Sequence, residues 1–330
     1  MRAVLAERPG PVSSLRVVDR PVPAPGPGEV RIRVAYAACN WGDVQKCQGV
    51  YPDPVAYPAV LGAEVSGAVS ACGAGVRRLR PGTRVAAITG PAMLGGFAEE
   101  VCVPVDYCMP LPADLDLRVG AAFPVAGLTA WHLLHSAHHL RKGQTVLIHA
   151  IAGGVGLALC QLAAAAGARV LGTVGSPAKA ELARAHGAHR VIARDEEDFV
   201  AVAMAETDGR GVDLVIDSLG ADILPRSFDA LRPYARVINI GEAAGEPDFA
   251  VRAKLYERST SLAGFEVLHA QPGSRRWRDG VRRVLAALAA GQLTIPVGDT
   301  FSLAETPTAL ARLESRATTG KILIEAGGGA

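Results

Sequence analysis

The sequence has no C-x-x-C pair, no basic stripe, no internal repeat and no low-complexity tract, and each absence closes a class of function. Its six cysteines, at 39, 47, 72, 102, 108 and 160, lack the close, regular spacing of a disulfide-stapled secreted domain. Without clustered cysteines a structural zinc site has no ligand set, so reduced thiols and a cytoplasmic location are expected. A net charge of +2, with Arg and Lys interleaved among Asp and Glu, leaves no footprint for nucleic acid. The most basic stretch, Arg275-Arg276-Trp277-Arg278 with Arg282-Arg283, reads as the solvated side of an amphipathic helix whose inner side carries Trp277, Val281, Val284, Leu285 and Leu288. Met1 to Leu5 run straight into polar Glu7-Arg8-Pro9-Gly10, too short for the apolar core of a signal peptide, and no export signal is expected.

Charge is also missing from Gly143 to Ala168, a run long enough to cross a bilayer. Its first half is strand-like (Thr145 to Ile148), its middle is a glycine turn, and its second half is rich in alanine rather than leucine. A buried strand-turn-helix accounts for all three features, and no membrane partner is expected.

What is present is enough apolar side chain, 49% of 330 residues, for two folded domains. To about residue 120, short β-runs such as 30–34, 65–69 and 84–88 alternate with Gly and Pro. The four prolines between Pro21 and Pro27 read as a rigid surface connection. From about Phe123 apolar strands at 145–149, 169–174, 189–193, 212–217 and 235–240 alternate with helical stretches such as 155–166 and 178–187, which predicts a parallel, doubly wound sheet. A strand at 321–325, after a helix near 303–317, is expected to return to the first domain. The fold class is therefore α/β, with a β-rich domain of residues 1–122 and 295–330 and a Rossmann-type domain of residues 123–294.

The turn Ala150-Ile151-Ala152-Gly153-Gly154-Val155-Gly156 stands between a strand and a helix and is followed by a second strand. Gly153, Gly154 and Gly156, with Val155 opening the helix, let backbone amides and the positive end of the helix approach a pyrophosphate. At the tip of the second strand, Gly175-Ser176-Pro177-Ala178-Lys179 holds no carboxylate, and none occurs before Glu181. An NAD site places an acid there to accept the ribose hydroxyl; a hydroxyl and a cation instead suit a 2′-phosphate, which predicts NADPH with Ser176 and Lys179 as ligands. An exposed lysine at a helix start is the plainer account of Lys179.

With these features in hand the chain resembles the medium-chain dehydrogenase/reductase superfamily, in its zinc-independent quinone oxidoreductase branch, and is also similar to polyketide enoyl reductase domains. The resemblance rests on Asn40-Trp41-Gly42-Asp43, Gly49-Val50-Tyr51-Pro52, Leu61-Gly62-Ala63-Glu64, Gly127-Leu128-Thr129-Ala130, the glycine turn, Asp217-Ser218-Leu219-Gly220, and Ser315-Arg316-Ala317-Thr318-Thr319-Gly320. It implies a GroES-like catalytic domain beside the Rossmann domain. Zinc-using relatives carry ligands at three positions that here hold Asn40, Ala63 and Val125, and alanine and valine bind no metal. His132, His135, His138 and His139 share adjoining helix faces but have no carboxylate or cysteine among them, so no metal is expected.

The resemblance further implies that Asn40 and Thr129 lie near the nicotinamide, that Ile240 and Phe265 line the cofactor, and that Arg316 reaches the 2′-phosphate. Tyr51 is implied as a substrate contact and is the candidate proton donor, with water the alternative. Trp41, Tyr57 and Met93, with Phe265, are candidates for an apolar acceptor pocket. Without a metal to polarise an alcohol, hydride addition to a quinone or conjugated enone is the expected chemistry. An enoyl-thioester reductase and an NADPH-binding partner protein without catalysis are the alternatives. Departures from the family pattern are Ile151 where relatives carry a small residue, Ala193 for a tyrosine, Gln45 for an aromatic, and Glu242 beside the expected nicotinamide. A homodimer through an edge strand near 259–265 is implied.

Overall fold

The computed structural model describes residues 1–316 and 318–327. Ala317, which falls in the expected C-terminal helix and in the Ser315 to Gly320 motif, lies outside the described residues, as do the last three of the expected 295–330 segment. The chain forms two compact units: Met1–Val125 with Gln271–Val281 and Ile295–Ala330, and Ala126–Ala270 with Arg282–Thr294. Nothing in the sequence pattern marks Gln271–Val281 as a segment of the first.

In the first unit, alternation of β-branched and polar residues produces strands with one buried side. Along Glu29–Ala38, Val30, Ile32 and Val34 are buried while Arg33 between them is exposed. This strand is central in a seven-stranded sheet of order Val297–Ser302, Lys321–Glu325, Glu29–Ala38, Glu64–Cys72, Arg84–Ile88, Cys108–Pro110, with Glu100–Pro104 also paired to it. The core behind it gathers Val30, Ile32, Val65, Val85, Phe97 and Ile322. The C-terminal strand does return here. It runs antiparallel to Glu29–Ala38 with Leu323 opposite Ala38, and Cys39 N donates to Ile322 O at 2.9 Å, a register that carries Lys321 to the start of the next helix. That helix, Trp41–Gln48, ends at Gly49, whose φ of 76° lies in the left-handed region.

The second unit is a six-stranded parallel sheet of order Arg190–Ala193, Arg169–Val174, Thr145–Ile148, Val212–Asp217, Leu231–Asn239, Ser261–Gly264. The first strand in chain order sits in the middle, its two successors to one side and the remaining three to the other. The C-terminal end of Thr145–Ile148 is thus the topological switch point, where open α/β sheets receive ligands. Leu147, Leu171, Val215 and Val237 form the core of this sheet with Phe199 and Phe228.

Two expected helices are shorter and begin more tightly. Pro177–Lys179 is a 3-10 turn ahead of the helix Ala180–Ala185, and Leu303–Glu305 is one ahead of Thr306–Glu314, where Ser302 N and Oγ both donate to the Glu305 carboxylate. Proline and the Ser/Glu capping pair favour this tightened first turn. The expected amphipathic helix spans Arg275–Ala289, with Trp277 and Val284 buried and Arg275, Arg276, Arg278, Arg282 and Arg283 exposed. Among the described residues the helical stretch apolar and long enough to cross a membrane is not the glycine-turn run but Leu117–His138, and 72% of its most apolar window is buried inside the protein.

Candidate functional site

At the N-terminus of Trp41–Gln48 a buried polar cluster closes around Asn40. Glu64, fully buried, accepts from Asn40 Nδ2 at 2.9 Å and Lys321 Nζ at 2.7 Å through Oε1, and from the Val125 amide at 2.7 Å through Oε2. Lys321 Nζ places its other two protons on Asn40 Oδ1 at 2.7 Å and Cys39 O at 3.1 Å. Because an ammonium only donates, the atom of Asn40 facing it is the oxygen, and the amide nitrogen is left to donate to Glu64 and to Ala38 O at 3.2 Å. Asp43 braces the cluster from the helix, accepting from Asn40 N at 2.8 Å and Gly62 N at 3.2 Å, and burial pushes its carboxyl up to about 6 against the opposing pull of Lys46. Cys39 is buried as well, and desolvation holds its thiol well above its ordinary range, so it is an inert packing residue.

These residues do not fit a zinc ion. Ala63 is buried and carries only a methyl group, Val125 contributes its amide, and an ammonium already bridges Asn40 and Glu64. Among the described residues there is no group of three His, Cys, Asp or Glu placed to hold a metal. The histidines that share a spacing do not converge: a π-turn, Leu133–His138, breaks the helical register. His132 Nδ1 meets Ser136 Oγ at 2.9 Å, His135 packs on Trp131 at 3.8 Å between ring centroids, and His138 Nε2 meets Gln144 Oε1 at 3.3 Å.

Nearly two helical turns beyond Asn40 lies a second cluster. Lys46, 3% exposed, donates to Ala92 O at 2.6 Å and Met93 O at 3.0 Å, and its Nζ lies 4.5 Å from the centre of the Tyr51 ring. The Tyr57 hydroxyl donates to Lys46 O. The expected substrate contact Tyr51 and two of the expected pocket residues, Tyr57 and Met93, are therefore brought together around a lysine. Trp41 is half-buried at the first position of the helix, and Phe265, the remaining pocket candidate, belongs to the second unit. Tyr51 lies against Gly42, where an added Cβ would stand 3.2 Å from the ring.

In the second unit the glycine turn sits at the switch point. Gly153 is the N-cap of the helix Gly154–Ala165 and has no side chain to close it, so the first-turn amides of Gly154, Val155 and Gly156 receive no side-chain cap from it. A Cβ on Gly156 would lie 2.5 Å from Ala150 O and 2.6 Å from Ile151 O, so only glycine lets the helix start this close to the strand. Ile151 itself is fully buried, turned beneath the loop onto Gly172 of the neighbouring strand, with its amide on Thr173 O at 3.0 Å. Its bulk thus points into the core rather than outward from the turn. His149, also buried, ties the base of the turn: Ser227 Oγ donates to Ile223 O at 2.7 Å and so accepts from His149 Nε2 at 3.0 Å, which leaves Nδ1 to accept from Thr173 Oγ1 at 3.0 Å. Burial, with Arg194 and Arg226 adding to it, pushes this imidazole down to about 3 and keeps it neutral.

Ser176 and Lys179 are half-buried at the tip of Arg169–Val174, beside the turn's own strand, and the tip holds no acid. Arg194, whose amide bonds Val174 O at 3.1 Å, brings a guanidinium nitrogen to 3.6 Å from where a Gly175 Cβ would be. Ile240 and Phe265 lie at the same end of the sheet, their amides on Asp217 O at 2.8 Å and Asn239 O at 3.1 Å. Thr129 is buried on the helix Leu117–His132, and Glu242 is exposed in the loop after Ile240. Arg316 belongs to the first unit, exposed, with a φ of 59° and its amide on Leu313 O at 3.1 Å. Sequence reasoning missed Lys46, Lys321, Arg194 and the structural part of His149. The available signal was a lysine at the head of an apolar strand, Lys321-Ile322-Leu323-Ile324, and another on the inward side of a helix.

Comparison with known proteins agrees with both halves. Residues 26–113 match the family described as alcohol dehydrogenase GroES-like domain, and residues 154–286 match that described as zinc-binding dehydrogenase. A quinone oxidoreductase of Pseudomonas aeruginosa is 36% identical over 303 residues, 90% of each chain. A 2-haloacrylate reductase of a Burkholderia species is 34% identical and covers 98% of each. The crystal structure of Escherichia coli quinone oxidoreductase complexed with NADPH superposes with a TM-score of 0.94 at 29% identity, over 98% of this chain and 100% of the other.

Proposed function

Since the chain belongs to the quinone oxidoreductase branch of the medium-chain dehydrogenase/reductase superfamily, we propose that it is an NADPH-dependent, zinc-free reductase of quinones or conjugated enones. The observation that carries this reading is the open glycine turn at the switch point followed by a strand tip that offers Ser176 and Lys179 in place of a carboxylate. Bound NADPH supplies a hydride. The chain's own part is binding and proton handling: the amides of Gly154 to Gly156 hold the pyrophosphate, Ser176 and Lys179 take the 2′-phosphate with Arg316 as a further cation, and Ile240, Phe265 and Thr129 pack along the cofactor.

Asn40 cannot act as a free acid or base with both amide protons and its carbonyl committed inside the protein. Its role is to present a fixed, uncharged surface at the head of its helix. Tyr51 holds the acceptor oxygen and delivers the proton that follows the hydride, with Trp41, Tyr57 and Met93 as the apolar wall. Zinc-free chemistry is supported by the ammonium that fills the centre of the Asn40 cluster, and it limits the enzyme to acceptors that are already electron-poor.

The test is a spectrophotometric assay of NADPH oxidation against a panel of quinones, enones, haloacrylates and enoyl thioesters in metal-free buffer. Turnover with quinones or simple enones is expected, and treatment with a chelator should leave it unchanged. Silence with every acceptor despite tight NADPH binding would replace this reading with that of a binding protein, and preference for the thioesters would make it a biosynthetic enoyl reductase. A homodimer through the edge strand Ser261–Gly264 is part of the proposal and is checked by mass in solution.

A further inference from the structure

Lysine is among the residues least often buried, and an interior ammonium is stable only where polar groups take up its protons and charge. Lys46 meets this condition. Its Nζ donates to Ala92 O at 2.6 Å and Met93 O at 3.0 Å and stands 4.5 Å from the centroid of the Tyr51 ring. Met93 has a φ of 51°, in the left-handed region that a non-glycine residue rarely adopts, and the lysine holds the carbonyl of that residue and of the one before it. Its own carbonyl receives the Tyr57 hydroxyl. One residue therefore touches three separate stretches of chain: Tyr51 by its charge, the Ala92–Met93 turn by its donors, and Tyr57 through its backbone.

We propose that Lys46 is the positioning residue of the acceptor pocket, its ammonium locking the Tyr51 ring and the Ala92–Met93 turn into one arrangement and so setting which acceptors fit. This rests on the reading of Tyr51 as an acceptor contact. Lys46 need not touch the acceptor. A cation over an aromatic face fixes the ring's position, and donors shared with two successive carbonyls tie that ring to the strained turn. Small acceptors depend on this arrangement most, because they make few other contacts that could hold Tyr51 in place.

Lys46→Met, which keeps most of the length but removes charge and donors, is compared with Lys46→Arg and with Lys46→Gln, the last as a neutral donor in case the methionine variant does not fold. Three readouts are taken: acceptor KM for a small and a bulky quinone, NADPH Kd, and the rate at which tetranitromethane nitrates Tyr51, with exposed Tyr234 and Tyr256 as internal references. The expected result for the methionine or glutamine variant is an acceptor KM roughly tenfold higher for the small quinone, an NADPH Kd within about twofold of wild type, and faster nitration at Tyr51 alone, with arginine restoring most of each. Unchanged nitration and acceptor KM would overturn the proposal, as would parallel losses in NADPH binding and acceptor KM, the mark of a merely structural lysine. If the wild type turns over no acceptor at all, the proposed function fails. The nitration rates then still report on whether Lys46 holds the ring.

Discussion

Replacing Gly172 by alanine would set a methyl group 2.2 Å from Cδ1 of Ile151, 2.6 Å from its Cβ and 2.7 Å from its Cγ2. Carbon atoms pack at about 3.5–4.0 Å, so the closest contact falls short by more than about 1 Å. A flexible side-chain end would swing aside, but Cβ is the root of the isoleucine, and the residue is fully buried with its amide fixed on Thr173 O. The strand or the turn must move instead, and overpacking of this kind costs about 1–3 kcal/mol. Ile151→Ala alone removes buried carbon and leaves a cavity, at a cost of about 2–5 kcal/mol. Together the two changes exchange one side chain for the other across the same space. The double variant should therefore be more stable than the sum of the singles by about 1–3 kcal/mol. Urea unfolding followed by circular dichroism gives the cycle, and fluorescence titration with NADPH gives the functional echo: Gly172→Ala displaces the turn and should weaken binding about tenfold, with Ile151→Ala in the same chain recovering part of it. A Gly172→Ala variant within about 0.5 kcal/mol of wild type, or strict additivity in the cycle, would refute the claim that Gly172 exists to seat Ile151.

His149 is held neutral in the fold and pushed down to about 3, while its ordinary value is 6.5, so the unfolded chain binds the extra proton. The stability this contributes is complete above about pH 6.5 and is lost at about 1.4 kcal/mol per pH unit as pH falls toward 3; chemical denaturation across that window should show His149→Gln with a flatter slope than wild type, and parallel slopes would count against it. Lys321→Met strands the carboxylate of Glu64 in the interior and should cost about 3–5 kcal/mol, whereas Glu64→Gln with Lys321→Met should recover much of the loss, both read from denaturant midpoints. Lys179→Ala should raise the KM for NADPH by about tenfold and leave that for NADH within about twofold, and equal effects on the two would remove Lys179 from the 2′-phosphate site.

The division of the chain into a β-rich part and a parallel sheet was legible because strand alternation, glycine and proline punctuation and the strand-turn-helix of the cofactor turn are local signals, each complete within about a dozen residues. The turn's glycines and the acid-free tip at Ser176 likewise needed no partner to be read, whereas the expectation that Ala63 and Val125 stand where zinc-using relatives carry ligands came from the resemblance. Ile151 marks the limit of that kind of evidence. In sequence it is a bulky residue in a turn that wants small ones; in the fold it turns away from the turn's outer surface because the next strand supplies Gly172 to receive it. Glu64 and Lys321 are 257 positions apart, Lys46 and Met93 are 47, and only the antiparallel return of the C-terminal strand and the fold of the first sheet bring each pair into contact. A buried charge is stable only with its partner. Since that partner is chosen by tertiary pairing, the sequence determined which residues the cofactor turn needs, and the fold alone decided which charges the interior could keep.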